Sequence, residues 1–245
     1  MSVLDTFPTI SLEEMKQVKL MNRTDTKFVA TEAQLLSLLA LASEAYMLQA
    51  IDGEVLMPYY TRYYDTPDCE MYRNHLHGKL TRNKVRVRRY EGSGVEFLEV
   101  KRKNNKGRTD KKRIPSGKGL AEAERSDFLL KMSGYKAETL VPQIENRFYR
   151  LTLVNRNKTE RLTIDTKLRF HNLVSGADCD LTGLAIIELK RDGRVASPIA
   201  AMLNRLRIKQ SGFSKYCMGM ALTNPALPSN RFKPRLRMIS KMLSR

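Results

Sequence analysis

The chain has 245 residues, 42% of them hydrophobic, so it is long enough for one large or two small domains and can bury a real core. Lys and Arg outnumber Asp and Glu by 44 to 26, a formal charge of +18, which points to phosphate-rich partners: nucleic acid, membrane surface, nucleotides or inorganic polyphosphate. No apolar run approaches the roughly 20 residues of a membrane span, the N-terminus lacks a signal-peptide pattern, and three widely spaced cysteines (Cys69, Cys179, Cys217) match no metal spacing, so the expectation is a soluble protein of the reducing cytoplasm.

In chain order, Leu12 to Val18 reads as a first helix and Arg23 to Val29 as a strand. Thr31 is placed as the N-cap of a helix running through Ala50, with Leu35, Leu36, Leu38, Leu39 and Leu41 on its apolar side. Pro58 to Asp65, rich in tyrosine, is the next strand, and Glu70 to Leu76 a short helix or an irregular connection. Lys84 to Tyr90 and Val95 to Lys103 flank Glu91-Gly92-Ser93-Gly94, a hairpin signal, and Thr109 to Ile114 completes a meander. A helix follows from Gly119, stopped by Gly134. Three further strands span Gln143 to Val154, Glu160 to Phe170 and Leu184 to Arg191; Ser197 to Ile208 has helical spacing; Asn224 to Arg245 ends in a basic amphipathic pattern.

Several of these strands alternate charged and apolar side chains, as in Lys84-Val85-Arg86-Val87-Arg88, Glu99-Val100-Lys101-Arg102-Lys103 and Ile186-Ile187-Glu188-Leu189-Lys190. Successive side chains on a strand point to opposite faces, so each strand sorts its charges onto one surface. Val85, Val87, Val100, Leu162, Ile164, Ile187 and Leu189 need a core, for which the helices are the available partners. The charged faces then look at bulk solvent or at one another. The expected class is α+β, mainly antiparallel β: a closed eight-stranded tunnel-like barrel with helices packed outside, its cationic lumen water-filled. One domain is expected over residues 1–222, with a basic tail or helix over 223–245.

Seven segments stand in an order that resembles a known family: Arg23-Thr24-Asp25-Thr26-Lys27-Phe28, Tyr63-Tyr64-Asp65-Thr66-Pro67, Lys84-Val85-Arg86-Val87-Arg88, Glu99-Val100-Lys101, Arg161-Leu162-Thr163-Ile164-Asp165, Ile187-Glu188-Leu189-Lys190 and Phe213-Ser214-Lys215-Tyr216. Together they resemble the VTC domain, the polyphosphate-polymerase branch of the triphosphate tunnel metalloenzymes, over roughly Arg23 to Tyr216. The resemblance implies a tunnel in which the terminal phosphoryl group of ATP passes to a growing inorganic polyphosphate chain with Mn2+ or Mg2+. It implies phosphate contacts from Lys27, Arg86, Arg88, Lys101, Lys111, Arg113, Arg147, Arg161, Lys190 and Lys215, with Arg86, Arg88 and Lys215 nearest the chemistry and Glu188 as metal ligand. The register of Thr109 to Ile114, which carries Lys111 and Arg113, stays open at this stage.

The hydrolytic branch of that superfamily opens on E-x-E-x-K, where this chain has Arg23 and Asp25, a departure that favours the polymerase branch. The alternatives are a metal-dependent hydrolase of triphosphate or nucleoside triphosphate, a non-catalytic polyphosphate-binding module, and a basic RNA-binding protein. The last lacks any RNP, KH or helix-turn-helix signature, so no specific nucleic acid is expected. Coupling to transport would need a separate membrane-protein partner, through which the protein would associate with a membrane. Read by themselves, Arg86 and Arg88 form a solvated strand face, Glu188 and Lys190 a same-face ion pair of little worth, and Asp165 an organiser of neighbouring arginines.

Overall fold

A computed structural model of the chain describes residues 2–16, 18, 23–117, 120–193 and 195–244. The elements are β1 (Thr9–Ser11), α1 (Leu12–Lys16), β2 (Arg23–Thr31), α2 (Glu32–Ala42), β3 (Tyr46–Ala50), β4 (Met57–Asp65), α3 (Glu70–Leu76), β5 (Arg82–Tyr90), β6 (Glu96–Lys103), β7 (Thr109–Pro115), α4 (Glu122–Ser133), β8 (Val141–Asn155), β9 (Glu160–Asn172), β10 (Asp178–Leu181), β11 (Leu184–Asp192), α5 (Pro198–Arg205), α6 (Lys215–Thr223) and α7 (Lys233–Leu243). Gln17, the expected helix start at Gly119 and the terminal Arg245 lie outside the described residues.

The strands form one sheet whose main path runs β2-β11-β9-β8-β4-β5-β6-β7, with β1, β3 and β10 attached at its side. Every pairing on that path is antiparallel. Eight strands are therefore present as expected, but no backbone pairing joins β2 to β7, so the barrel is not closed. Both free edges carry cations on the same face of the sheet, Lys27 beside Asp25 on β2 and Lys111 and Arg113 on β7, and like charges disfavour a close approach of the two edges. Strand β7 is exposed along most of its length and ends in Pro115, as protected edges do. Charges nevertheless act on one another across the gap: Lys84 on β5 feels that of Lys27, and Lys101 on β6 those of Glu188 and Lys190. The sheet curls into a trough with a concave and a convex face.

Helices cover most of the convex face. Leu162, Ile164, Ile187 and Leu189 pack with Leu35, Leu38 and Leu39 of α2 and Ile199 and Leu203 of α5. Val85, Val87, Leu98 and Val100 pack with Leu129 of α4 and Met71 of α3. The expected helical partners of these strands are thus in place. Helix α2 starts on a capping box, in which the Thr31 hydroxyl accepts from Gln34 N at 3.2 Å and the Gln34 side chain accepts from Thr31 N at 3.1 Å. It ends at Ala42, eight residues earlier than the expected stop at Ala50. Tyr46 to Ala50 form a strand instead, paired with β8 and β1, and fully buried Tyr46 hydrogen-bonds Glu160. Tertiary pairing overrides a leucine- and alanine-rich helix pattern there.

One end of the trough is apolar and filled. Ile144, Phe170 and Ile186 pack with Tyr216 and Met220 of α6. Helix α6 approaches so closely that a Cβ on Gly219 would stand 2.6 Å from Phe170 Cδ1 and 2.7 Å from Ile144 Cδ1. Helix α7, the basic C-terminal segment, docks on this plug through its buried Ile239 and through buried Phe232 immediately before its first turn. The plug sets where the polar part of the trough begins.

Candidate functional site

Strand registers decide which side chains share the concave face. In phase on it are Lys27 of β2, Glu188 and Lys190 of β11, Arg161, Thr163 and Asp165 of β9, and Arg150 of β8. Thr61 of β4, Lys84, Arg86 and Arg88 of β5, Glu99 and Lys101 of β6, and Lys111 and Arg113 of β7 continue it. Lys84, Lys101 and Lys111 stand directly opposite one another on three adjacent strands, and Arg86, Glu99 and Arg113 form the next row. A row of three lysines across paired strands repels itself. Helix α6 adds Lys215 from its first turn, and the hydroxyl of Ser214, the N-cap, accepts from Lys84 Nζ at 2.8 Å.

Three carboxylates tie the cations together. Glu99, 1% exposed, accepts from Arg86 Nε at 2.6 Å and from Lys111 Nζ at 3.3 Å. Asp165 takes a two-pronged bond from Arg150, Nε to Oδ1 at 2.6 Å and Nη2 to Oδ2 at 2.8 Å, and a second cation from Lys215. Glu188 accepts from Lys190 at 2.8 Å and from Lys27. Burial raises the carboxyl of Glu99, yet Arg86, Arg88 and Lys111 more than offset it and hold it at about 2. Lys190 and Lys27 act likewise on Glu188, and Arg150 and Lys215 on Asp165, each held well below the usual carboxylate range against its burial.

The cations left over carry the strain. Arg88 is buried and, among the described residues, makes no ion pair; its Nε donates to Thr61 Oγ1 at 3.2 Å and its guanidinium lies 5.5 Å from the Tyr59 ring centroid. Burial, then Arg86 and Arg150, push it down to about 10. Lys101 is pushed down to about 6, first by Arg86, then by burial, and further by Arg88 and Lys190. A lysine at that value is mostly neutral at pH 7. The face holds more positive charge than its own carboxylates can balance, a state that a polyanion relieves.

The profile of the VTC domain family matches residues 22–224. The chain belongs to the VTC domain family. Among solved structures, it resembles a candidate adenylate cyclase from Bacillus halodurans, with 14% identity, TM-score 0.51, and coverage of 79% of this chain and 96% of that one. It also resembles a candidate adenylyl cyclase from Hippeastrum described as having a dominant triphosphatase activity, with 13% identity, TM-score 0.53, and coverage of 85% and 98%. At such identities the likeness is one of fold. A comparison with curated proteins finds none that matches.

In this VTC domain, Lys27, Arg86, Arg88, Lys101, Arg161, Lys190, Lys215 and Glu188 lie together on the trough or at its plug. The register of β7 adds Lys111 and Arg113 to the same face. Arg147 does not join them. It pairs across the strands with Tyr60 and Arg169 on the convex face, its side chain is 60% exposed, it binds Glu91, and it stacks 4.9 Å over Tyr60. The reason is parity: Arg147 is in phase with Leu151 and Leu153, which pack under α2, whereas Arg150 falls on the other face. Arg150 and Lys84 also face the trough, outside the expected set of phosphate contacts, and the alternation contains the signal for both: Lys84 is in phase with Arg86 and Arg88, and Arg150 is out of phase with Leu151.

The VTC domain offers little to a metal ion by itself. Among the described residues no group of three His, Cys, Asp or Glu side chains is arranged to hold one. Glu188 is clamped by two lysines, and Asp165 and Glu99 by two cations each. Such a donor set fits an ion carried in by phosphates, with Glu188 as one ligand and phosphate oxygens and water as the rest, and it does not fit an all-protein cage. No helix among the described residues is long and apolar enough to cross a membrane.

Proposed function

We propose that the protein is an ATP-dependent polyphosphate polymerase, transferring the γ-phosphoryl group of ATP to the end of an inorganic polyphosphate chain held in the trough. The observation that carries this is the surplus of buried cations, with Arg88 in no ion pair among the described residues and Lys101 pushed down to about 6. Membership of the VTC family supports it. Phosphoryl transfer needs positioning and charge stabilisation more than covalent help, and a single arginine on the transferring group is worth roughly 10³–10⁵ in rate. Arg86 and Arg88, side by side on β5, suit that task because the guanidinium fork grips two phosphate oxygens and stays charged. Lys27, Lys101, Lys190 and Lys215 would bind the phosphates that do not react, and Asp165 positions Arg150 and Lys215.

In the step, a terminal oxygen of the polyphosphate chain attacks the γ-phosphorus, the bond to the bridging β-oxygen breaks, and ADP leaves. The attacking oxygen is already ionised, so no general base is needed. A divalent ion such as Mn2+ or Mg2+, held by Glu188 and the phosphates, would supply charge neutralisation between the reacting groups.

The test is incubation of the purified protein with ATP and Mn2+. Long chains together with ADP support the proposal. Inorganic phosphate without chains would make the protein a hydrolase, the activity described for the Hippeastrum structure, and binding of polyphosphate without turnover would make it a binding module.

A further inference from the structure

The cationic row on β5 continues past Lys84 to Arg82, which stands opposite Lys103 of β6. These residues lie where α3, α6 and α7 come together. Lys84 is tied to the α6 N-cap through Ser214. Arg235 of α7 lies against Gly212, with its Nη2 3.3 Å from where a Cβ would stand, two residues before Ser214. His75 of α3 belongs to the same cluster: its Nδ1 is buried and finds no hydrogen-bond partner among the described residues. Burial, then Lys84, Arg82, Arg235 and Lys103, push its imidazole down to about 3.

This cluster differs from the centre of the trough in one respect. At the centre each buried carboxylate gathers two cations. Here, among the described residues, none of Arg82, Lys84, Lys103 and Arg235 makes an ion pair. Four cations and a neutral histidine are drawn from four elements, and among the described residues no carboxylate pairs with any of the four cations. From Arg82 to Arg88 the row extends about 20 Å at 3.3 Å per residue, more than a triphosphate covers.

We propose that this cluster is a second phosphate site, which takes the stretch of a linear inorganic polyphosphate that runs past α6 while the chain's end lies in the trough. This rests on the polymerase reading and adds to it the mouth by which the product leaves. Phosphates there replace the missing carboxylates, and the cluster enters only when the chain is long enough to reach it. Affinity should therefore depend on chain length.

The experiment compares tripolyphosphate with a chain several times longer, by calorimetry on the full chain at fixed ionic strength, for wild type, Lys103→Ser, Arg235→Ser and the double variant, with thermal midpoints to show that each is folded. Beyond the statistical gain from its extra phosphates, the longer chain should bind wild type about tenfold more tightly, as a linked second contact does. The double variant should lose most of that preference while its affinity for tripolyphosphate changes less than about twofold. Normal tripolyphosphate binding with the same length preference in wild type and double variant would overturn the proposal and leave the polymerase reading standing. A single-stranded oligonucleotide of matched phosphate number that binds wild type as tightly, and is weakened equally in the double variant, would also overturn it and assign the cluster to nucleic acid. If neither phosphate binds wild type, the polymerase reading fails, and this proposal with it.

Discussion

Arg86 and Arg88 stand two residues apart on β5 and face the same trough, yet their electrical surroundings differ. Arg86 neutralises Glu99, a carboxylate that is 1% exposed. Arg88 makes no ion pair among the described residues; its charge adds to the field that keeps Glu99 ionised, and it repels Arg86 and Arg150. In the sequence the two are equivalent, alternate residues on one face of one strand. The structure separates them. Arg86→Ala should cost on the order of 3 kcal/mol in denaturant unfolding, because it leaves a buried carboxylate short of a partner. Arg88→Met should leave stability within about 1 kcal/mol of wild type or raise it, and should weaken tripolyphosphate binding by about 10- to 100-fold through loss of charged hydrogen bonds. Equal destabilisation by the two variants would refute the distinction. Glu188 carries a second expectation. Because Lys27 and Lys190 occupy its oxygens, Mn2+ alone should leave the free-ion spin-resonance signal unchanged on adding protein. With tripolyphosphate already bound, the signal should fall, and Glu188→Gln should restore part of it. A saturable Mn2+ site in the phosphate-free protein would contradict this account.

At the scale of elements, α6 does two jobs that pull against each other. Its body plugs the apolar end of the trough, and its N-terminus delivers the N-cap Ser214 and Lys215 to the cationic part. The only residue that allows so close an approach is one without a Cβ, since at position 219 a Cβ would stand 2.6 Å from Phe170. Gly219→Ala should therefore destabilise by about 1–3 kcal/mol, as overpacking does. It should also weaken phosphate binding by displacing Lys215, which a change confined to the core would not do. Melting curves and tripolyphosphate titrations on the same variant check both halves. Helix α3 shows the same dependence on distant groups. Its first turn is capped by Asp65 of β4, whose carboxylate accepts from Met71 N and Tyr72 N, each at 2.9 Å, while Cys69 takes a left-handed φ of 59° at the N-cap position. The Tyr-Asp-Thr-Pro segment reads as the end of a strand, and its cap function becomes visible only once the chain has turned back on it.

For the molecule as a whole, the trough makes stability depend on pH in a definite direction. Lys101 is depressed to about 6, and burial pushes Lys84, Lys190 and Lys215 down as well. Between the depressed value and the ordinary lysine value, near 10.4, the unfolded chain binds more protons than the folded one. Stability of the ligand-free protein therefore rises with pH from about 6 upward. Glu99, depressed to about 2, works at the other end: its contribution is present above the unfolded carboxylate value of about 4.3 and is lost as pH falls toward 2. Thermal midpoints measured between about pH 6 and 9 should climb. Adding tripolyphosphate should raise them most at the low end, with protons taken up on binding, as titrations in buffers of different ionisation enthalpy would show. A flat profile, or proton release, would mean that Lys101 is not the crowded group described here.

The alternation of charge and apolar side chains determined a good deal unaided. It is a local property of an extended chain, so the two faces of β5, β6, β9 and β11, the surplus of cations on one of them, and the leucine and valine rows under the helices could all be read along the sequence. What no single strand contains is its neighbour's register. That Arg150 rather than Arg147 enters the trough, that Lys111 and Arg113 share it, that Glu188 lies between two lysines, and that β2 and β7 stay apart were all decided by pairing between segments far apart in sequence. Electrostatic neutralisation depends on distances between such segments, which is why the tertiary structure alone shows which cations remain unbalanced.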